Sequence, residues 1–162
     1  MPTFPKARYL FGRKEWEHWC SEEAKHRDGD VMGDSVRPII DAGLAELVEM
    51  HHALTDEVRL EPTPGHTPGH VSVRISSRGE QAVITGDLMH HPLQCAEPDL
   101  ANNFDVDAAA ARRTRRDFLA RYANKPVLIL GTHFAPPTGG WVVDAEQAWR
   151  FDLTVPMDSA KL

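Results

Sequence analysis

Cysteine is scarce in this sequence of 162 residues. The two cysteines, Cys20 and Cys95, form no Cys-x-x-Cys pair, so the sequence indicates neither a disulfide framework nor a thiolate zinc site. No apolar run approaches the roughly 20 residues of a membrane span, and the first residues contain no apolar signal core. We therefore predict a cytoplasmic protein with no membrane partner.

Basic residues are also in the minority. The chain has 18 Lys and Arg against 24 Asp and Glu, a formal net charge of −6, which disfavours a nucleic-acid partner. The hydrophobic share of 41% and the charged share of 26% are typical of a soluble globular chain, and the length fits one domain over residues 1–162. Histidine, by contrast, is abundant, with nine residues.

The sequence pattern predicts strands that alternate with helices. Asp105 or Asp107 is expected to cap the clearest helix, 108–124, and the wholly apolar run 127–130 predicts a strand buried on both faces. Such an alternation predicts an α/β or α+β class with helices packed on sheets. The other predicted strands are 7–11, 44–50, 71–75, 81–85 and 141–143, and the other predicted helices are 13–25 and a short one that ends before Gly43. The apolar stripe of the clearest helix is Ala111, Phe118, Leu119 and Tyr122.

Three extended segments end in the same way, with a glycine followed by a residue that can bind metal. The three endings read Pro-Gly-His66, Gly-Asp87 and Gly-Thr-His133. Functional side chains of layered α/β proteins gather where strands end, and glycine lets the backbone approach an ion closely. Two imidazoles and one carboxylate suit Zn²⁺, Mn²⁺ or Fe²⁺. We therefore predict that His66, Asp87 and His133 are metal ligands.

Each of these residues, taken singly, also fits an ordinary structural role as a turn former, a helix cap or a core histidine. The same pattern at three strand ends favours the metal site. His70 is predicted to orient a turn or to support a ligand. Four arginines of the clearest helix are predicted to form a solvated face: Arg112, Arg113, Arg115 and Arg116.

The doubled phrase Thr63-Pro-Gly-His66-Thr-Pro-Gly-His70, followed by Gly-Asp87 and Gly-Thr-His133, resembles the metallo-β-lactamase-fold hydrolases. Within them it is most similar to the branch of lactonases and methyl-parathion-hydrolase-like enzymes. The resemblance implies a four-layer αββα sandwich with two metal ions, normally Zn²⁺, at one edge of the sheets. It also implies that His66 binds the first metal, Asp87 bridges both and His133 binds the second.

The same resemblance implies the chemistry. A metal-bound hydroxide would attack the carbonyl or phosphoryl centre of a lactone, ester or phosphotriester substrate. In the lactonases, a tyrosine three residues after the bridging carboxylate helps to hold the substrate. That position is His90 in this chain, so Asp87 and His90 are the predicted catalytic residues.

The defining motif of the resembled family, His-x-His-x-Asp-His, is missing, because no two of the nine histidines are separated by a single residue. Each metal would keep two ligands, with Asp87 shared, whereas catalytic zinc normally has three protein ligands. We therefore expect the chain to be the C-terminal part of such an enzyme, inactive or weak by itself. A homo-oligomer, or a second chain that supplies the missing half, is the expected macromolecular partner.

Two other functions remain open on the sequence alone. One is a non-catalytic remnant that acts as a binding or assembly module. The other is a mononuclear iron oxygenase that uses two histidines and one carboxylate. The oxygenase is disfavoured because its first histidine and carboxylate usually lie close together in sequence, while His66 and Asp87 lie on different segments.

Overall fold

The computed structural model describes residues 2–21 and 32–154. The chain divides into two units, Met1–Met50 and His51–Leu162. Within the described residues, no helix is both long and apolar enough to cross a membrane.

The first unit contains a parallel pair of strands, β1 (Tyr9–Gly12) and β2 (Ala45–Val48), close to where the sequence predicts them. Helix α1 (Arg13–Trp19) follows β1 directly. The helix ends at Trp19, earlier than predicted, because the chain turns at Cys20, and residues 22–25 of the predicted helix lie outside the described residues. A π-helical turn (Met32–Val36) leads into the short helix α2 (Arg37–Asp41), which ends, as predicted, before Gly43. Gly43 has a φ of +67°, a conformation that glycine adopts without strain.

The second unit is built on a six-stranded sheet whose strands are neighbours in chain order. All neighbouring pairs are antiparallel except β5 and β6, which are parallel. A parallel pair needs a crossover connection, and this one carries helices α3 (Leu93–Ala96) and α4 (Ala108–Tyr122). The six strands are β3 (Val58–Pro62), β4 (Val71–Ser77), β5 (Glu80–Ile84), β6 (Val127–Leu130), β7 (Gly139–Ala145) and β8 (Ala148–Asp152).

The core of the second unit lies between helix α4 and one face of the sheet. The four residues of the predicted α4 stripe are all buried, and Phe118, Leu119 and Tyr122 cluster with Val83 of β5 and Ile129 of β6. Asp107, one of the two predicted caps, accepts a hydrogen bond from the backbone N–H of Ala110. The other predicted cap, Asp105, does not cap the helix and contacts a histidine instead.

Two expectations about the strands differ from the structure. Strand β6 is buried on one face only, since Val127 and Ile129 are buried while Leu128 and Leu130 are partly exposed. The last strand, β8, is missing from the sequence-based prediction. It pairs with β7 through a turn at Glu146, whose φ is +29°, and this turn lacks the Asn-Gly or Asp-Gly pair that usually marks a hairpin.

The prediction of a solvated arginine face on α4 is wrong for Arg115, which is fully buried, although Arg112, Arg113 and Arg116 are exposed. Arg115 lies four residues after Ala111 and therefore on the buried stripe. A buried guanidinium needs hydrogen-bond partners. Its donors reach three carbonyl oxygens of the crossover, those of Leu88, Pro98 and Leu100.

Candidate metal centre

The sheet topology brings the three predicted ligands to one edge. Strand pairing places the end of β3, the start of β4 and the ends of β5 and β6 side by side. The residue pairs at this edge are Pro62 with Val71, Val73 with Ile84, and Ile84 with Leu130. His66 lies in the loop between β3 and β4, Asp87 follows β5, and His133 follows β6. The glycine-plus-ligand pattern therefore marks three chain segments that converge on one point.

Asp87 lies between the two predicted histidine ligands. Its Oδ2 atom is 3.3 Å from Nε2 of His66, and its Oδ1 atom is 2.8 Å from Nε2 of His133. The side chain of His66 is 15% exposed, while those of Asp87 and His133 are 40% and 45% exposed. One carboxylate oxygen thus faces each imidazole, and the site is open to solvent on the side of His133.

His90 joins this group. Its ring lies against both histidines, with centroids 5.3 Å from His66 and 4.6 Å from His133, the latter pair stacked at 14°. The nearest ligand atoms of His66, Asp87 and His90 all lie within 4.8 Å of one another. From the sequence, His90 is predicted as a catalytic residue that contacts the substrate and is not among the predicted metal ligands.

The electrostatics of the site favour an ionised Asp87 carboxylate and a neutral His90 imidazole. Partial burial acts to raise the pKa of Asp87, but the hydrogen bond with His133 and the nearby imidazoles, when they are protonated, outweigh it and lower that pKa. Burial, together with the charges of His133 and His66, lowers the pKa of His90. A neutral His90 has a free nitrogen lone pair, as a metal ligand or a hydrogen-bond acceptor requires.

Two glycines permit this close arrangement. Gly65, with a φ of +140°, has no room for a side chain, because a Cβ atom would lie 2.3 Å from the backbone of Ala111 in α4. Gly86, with a φ of +57°, lets its neighbour Asp87 approach His70, since a Cβ atom at this position would lie 2.7 Å from Nε2 of His70. The loop carrying His66 is thus packed directly on α4.

His70 supports the site from behind, as predicted. Its Nε2 atom accepts a hydrogen bond from the backbone N–H of Asp87 at 2.8 Å. Its Nδ1 atom therefore carries the proton and lies 2.9 Å from the carbonyl and hydroxyl oxygens of Thr63. A second link joins the strand ends, because the buried Thr85 hydroxyl accepts a hydrogen bond from the backbone N–H of Thr132.

Sequence reasoning missed the residues that surround His66 and His90. Oδ1 of Asp105 lies 3.1 Å from Nδ1 of His66, and the amide nitrogen of Asn102 lies 2.9 Å from the His90 ring. The side-chain oxygen of Gln94 accepts a hydrogen bond from the backbone N–H of His90. These residues belong to the crossover between β5 and α4, where no periodicity in the sequence points to their contacts.

The donor set fits a transition-metal ion. Three imidazoles and one carboxylate are the ligands that Zn²⁺, Mn²⁺ and Fe²⁺ share, whereas Mg²⁺ and Ca²⁺ prefer oxygen ligands alone. The fold and the site together define a mixed α/β protein with a histidine–carboxylate centre at one edge of its sheet.

A family model describes this class of protein. The model of the metallo-beta-lactamase superfamily matches residues 9–147. The chain therefore belongs to the metallo-beta-lactamase superfamily, and the resemblance inferred from its motifs is confirmed. Comparison with curated protein sequences finds no match.

Solved structures of the superfamily share the fold. Hydrolase AbOPH superposes with a TM-score of 0.79 at 22% identity, over 91% of this chain and 55% of its own. The dizinc quorum-quenching lactonase AidC superposes with a TM-score of 0.77 at 21% identity, over 94% of this chain and 56% of its own. An N-acyl homoserine lactone hydrolase follows with a TM-score of 0.60 at 19% identity, over 79% and 47%. The chain thus spans about half the length of these proteins, and its fold is part of the metallo-beta-lactamase fold.

Proposed function

We propose that this chain carries part of the active site of a metal-dependent hydrolase that acts on lactones, esters or phosphotriesters. His66, Asp87 and His133 are the proposed metal ligands. The observation that carries the proposal is the position of Asp87, with one carboxylate oxygen toward each histidine. Family membership supports the reaction class, and lactonases among the structural neighbours support the substrate class.

The residues of the site have different proposed roles. His66 and His133 each present Nε2 to the centre, and ionised Asp87 supplies negative charge between them. Divalent metal ions, when bound, supply Lewis acidity and lower the pKa of a bound water. His90, whose ring lies between those of His66 and His133, is placed to contact the substrate or to add a further nitrogen ligand.

The number of metal-binding side chains leads to a proposal about how strongly this chain binds zinc. His66 with Asp87, and Asp87 with His133, give two donors to each of two ions, whereas a catalytic zinc ion normally has three protein ligands. We propose that this chain alone binds Zn²⁺ weakly at the second position and turns over substrate slowly. With His90 as a third donor, His66 and Asp87 would hold one ion at the usual count.

Zinc binding and hydrolysis measured together test the proposal. We expect the purified chain to bind fewer than two equivalents of Zn²⁺ by elemental analysis and calorimetry, and to hydrolyse an acyl lactone or a phosphotriester slowly. Asp87→Asn should abolish both zinc binding and hydrolysis. Asp99→Asn is the matched control, because it removes the same charge from an exposed surface position. Equal zinc binding by the two variants would contradict the assigned site, and two tightly bound equivalents with rapid turnover would contradict the weak-binding proposal.

His90 and His133 can be separated by the same measurements. If His90 is a metal ligand, His90→Ala lowers zinc affinity. If it contacts substrate, the variant keeps its zinc affinity and raises KM. His133→Ala should lower zinc affinity in either case. Replacing Zn²⁺ with Mn²⁺ or Fe²⁺ in the same titrations tests which metal the site prefers.

The same shortage of metal ligands, two for each ion instead of three, leads to the proposal of a partner. A second copy of this chain, or another chain, could supply the missing donors. Light scattering during size-exclusion chromatography, with and without Zn²⁺, tests the homo-oligomer. A chain that stays monomeric under both conditions would leave a different chain as the proposed partner.

A further inference from the structure

A buried carboxylate lies directly behind His66, on the side away from Asp87. The side chain of Asp105 is 2% exposed, and its Oδ1 atom is 3.1 Å from Nδ1 of His66. Burying a carboxylate is costly unless its charge and lone pairs are satisfied. The His66 ring lies at hydrogen-bonding distance from Asp105, and the buried guanidinium of Arg115 lies 3.9 Å from the other carboxylate oxygen.

Arg115 connects Asp105 to the segment that carries Asp87. Its Nε atom donates to the carbonyl oxygen of Leu88, the residue after Asp87, at 3.1 Å. Another nitrogen of the same guanidinium donates to the carbonyl oxygens of Pro98 and Leu100, at 2.7 and 3.0 Å. A rigid planar guanidinium with several anchored donors holds its neighbours in fixed geometry. One side chain therefore fixes the backbone beside Asp87 and faces the carboxylate behind His66.

The loop that carries Asp105 is also joined to the loop that carries His66. The backbone N–H of Val106 donates to the carbonyl oxygen of His66 at 2.9 Å, and that of Asp107 donates to the carbonyl oxygen of Gly65 at 3.0 Å. Helix capping does not explain Asp105, because Asp107 caps α4. Asp105 and His66 are thus held face to face by backbone hydrogen bonds on either side of their contact.

We propose that Asp105, which faces the buried guanidinium of Arg115, is a positioning residue that fixes the tautomer and orientation of His66. Nδ1 of His66 carries the proton and donates a hydrogen bond to Asp105. The lone pair is then on Nε2, the nitrogen that faces Asp87. Asp87 competes for the proton, but it lies farther away, at 3.3 Å, and its carboxylate is 40% exposed to water. The contact with Asp105 is shorter and its carboxylate is less exposed to water, so it is the stronger of the two hydrogen bonds. The consequence for metal binding rests on the proposed function, whereas the tautomer does not.

Nitrogen-15 NMR of the histidine side chains in the metal-free full chain tests the tautomer. At alkaline pH, where imidazoles are neutral, we expect wild-type His66 to carry its proton on Nδ1. Asp105→Ala should move the proton to Nε2, next to Asp87. Asp99→Ala, which removes an exposed carboxylate that pairs with Arg116 of α4, should leave the His66 signals unchanged.

Wild-type His66 with its proton on Nε2 would overturn the proposal, and so would a folded Asp105→Ala variant that keeps the Nδ1 proton. If Asp105→Ala does not fold, the wild-type spectrum still decides. Asp105→Asn keeps an oxygen acceptor of nearly the same shape, and we expect it to retain the Nδ1 tautomer that alanine loses.

Titration with Zn²⁺ alone gives the second readout. Removal of a residue that orients a metal-binding histidine typically weakens metal affinity by about 10–100-fold, and we expect this loss for Asp105→Ala, a smaller loss for Asp105→Asn and none for Asp99→Ala. Unchanged zinc affinity in folded Asp105→Ala would overturn the positioning role. If the wild-type chain binds no Zn²⁺, the proposed function fails for this chain, and the tautomer is still decided by the NMR measurement.

Discussion

The backbone N–H of Asp87 donates a hydrogen bond to Nε2 of His70 at 2.8 Å. This contact joins the second histidine of the doubled Thr-Pro-Gly-His phrase to the proposed shared ligand. Because Nδ1 of His70 also contacts Thr63, one imidazole links the end of β3 to the turn after β5. The two halves of the phrase therefore have different roles, with His66 presenting its ring to the centre and His70 fixing the backbone that carries Asp87.

We expect His70→Ala to weaken both the fold and the site. The variant leaves the N–H of Asp87 without its acceptor, and an unsatisfied buried polar group costs about 1–3 kcal/mol of stability. Zinc affinity should fall by about 10-fold or more, because the carboxylate is less well oriented. Urea unfolding and zinc calorimetry measure the two effects. His51→Ala, at an exposed position, is the control, and equal behaviour of the two variants would contradict the role of His70.

Gly65→Ala should be strongly destabilising, whereas Gly79→Ala should be tolerated better. Both glycines have positive φ values, so backbone strain of about 1 kcal/mol or more is common to both variants. At Gly65 a Cβ atom would also lie 2.3 Å from the backbone of Ala111, while at Gly79 it meets nothing within 4 Å. We expect Gly65→Ala to lose more stability by about 1–3 kcal/mol, the usual cost of overpacking, in thermal or urea unfolding. Equal losses would show that α4 moves aside without cost.

The two arginines Arg115 and Arg116 form a second matched pair. Arg115→Ala leaves the buried carbonyl oxygens of Leu88 and Pro98 without the guanidinium donor, and we expect a loss of about 3 kcal/mol or more in the free energy of unfolding. Arg116→Ala breaks only an exposed ion pair with Asp99, which is worth about 1 kcal/mol or less. Urea unfolding of the two variants checks the difference, and similar losses would contradict the structural role of the buried guanidinium.

The site could be predicted from the sequence where its residues follow strands. His66, Asp87 and His133 each come directly after an extended segment and a glycine, so their meeting point follows from the order of the strands. Asp105 could not be found in this way, because it lies in an irregular connection and its role depends on packing against His66. A sequence pattern places arginine on the surface. Arg115 is buried because its guanidinium donates to the carbonyl oxygens of Leu88 and Pro98, which lie far from it in the sequence.

The fold shows the same division between local patterns and distant contacts. Helix α4 was predictable because a cap and an apolar stripe both lie within one segment. Strand β8 was not, since it is defined by its pairing with β7 rather than by strict alternation of its own. The parallel pair β5 and β6 follows from the helix between them, which is a connection that the sequence does reveal.

Acid should remove a stabilising contribution of Asp152 at the end of β8. The N–H and hydroxyl groups of Thr154 and the guanidinium of Arg150 all donate to its ionised carboxylate, and they lower its pKa to about 2 from the ordinary value of 3.8. Because the folded-state pKa is the lower one, the contribution is fully present above the unfolded-state value and is lost as the pH falls toward the folded-state value.

The pH dependence of unfolding measures this contribution. We expect Asp152→Asn to be less stable than the wild type near neutral pH, and the difference in free energy of unfolding to shrink as the pH falls from the ordinary aspartate value toward about 2. Asp117→Asn, at an exposed position of α4, is the control and should give a curve parallel to that of the wild type in this range. A difference between Asp152→Asn and wild type that stays constant down to the lowest pH would contradict the assignment, because the hydrogen bonds would then not depend on the charge of the carboxylate.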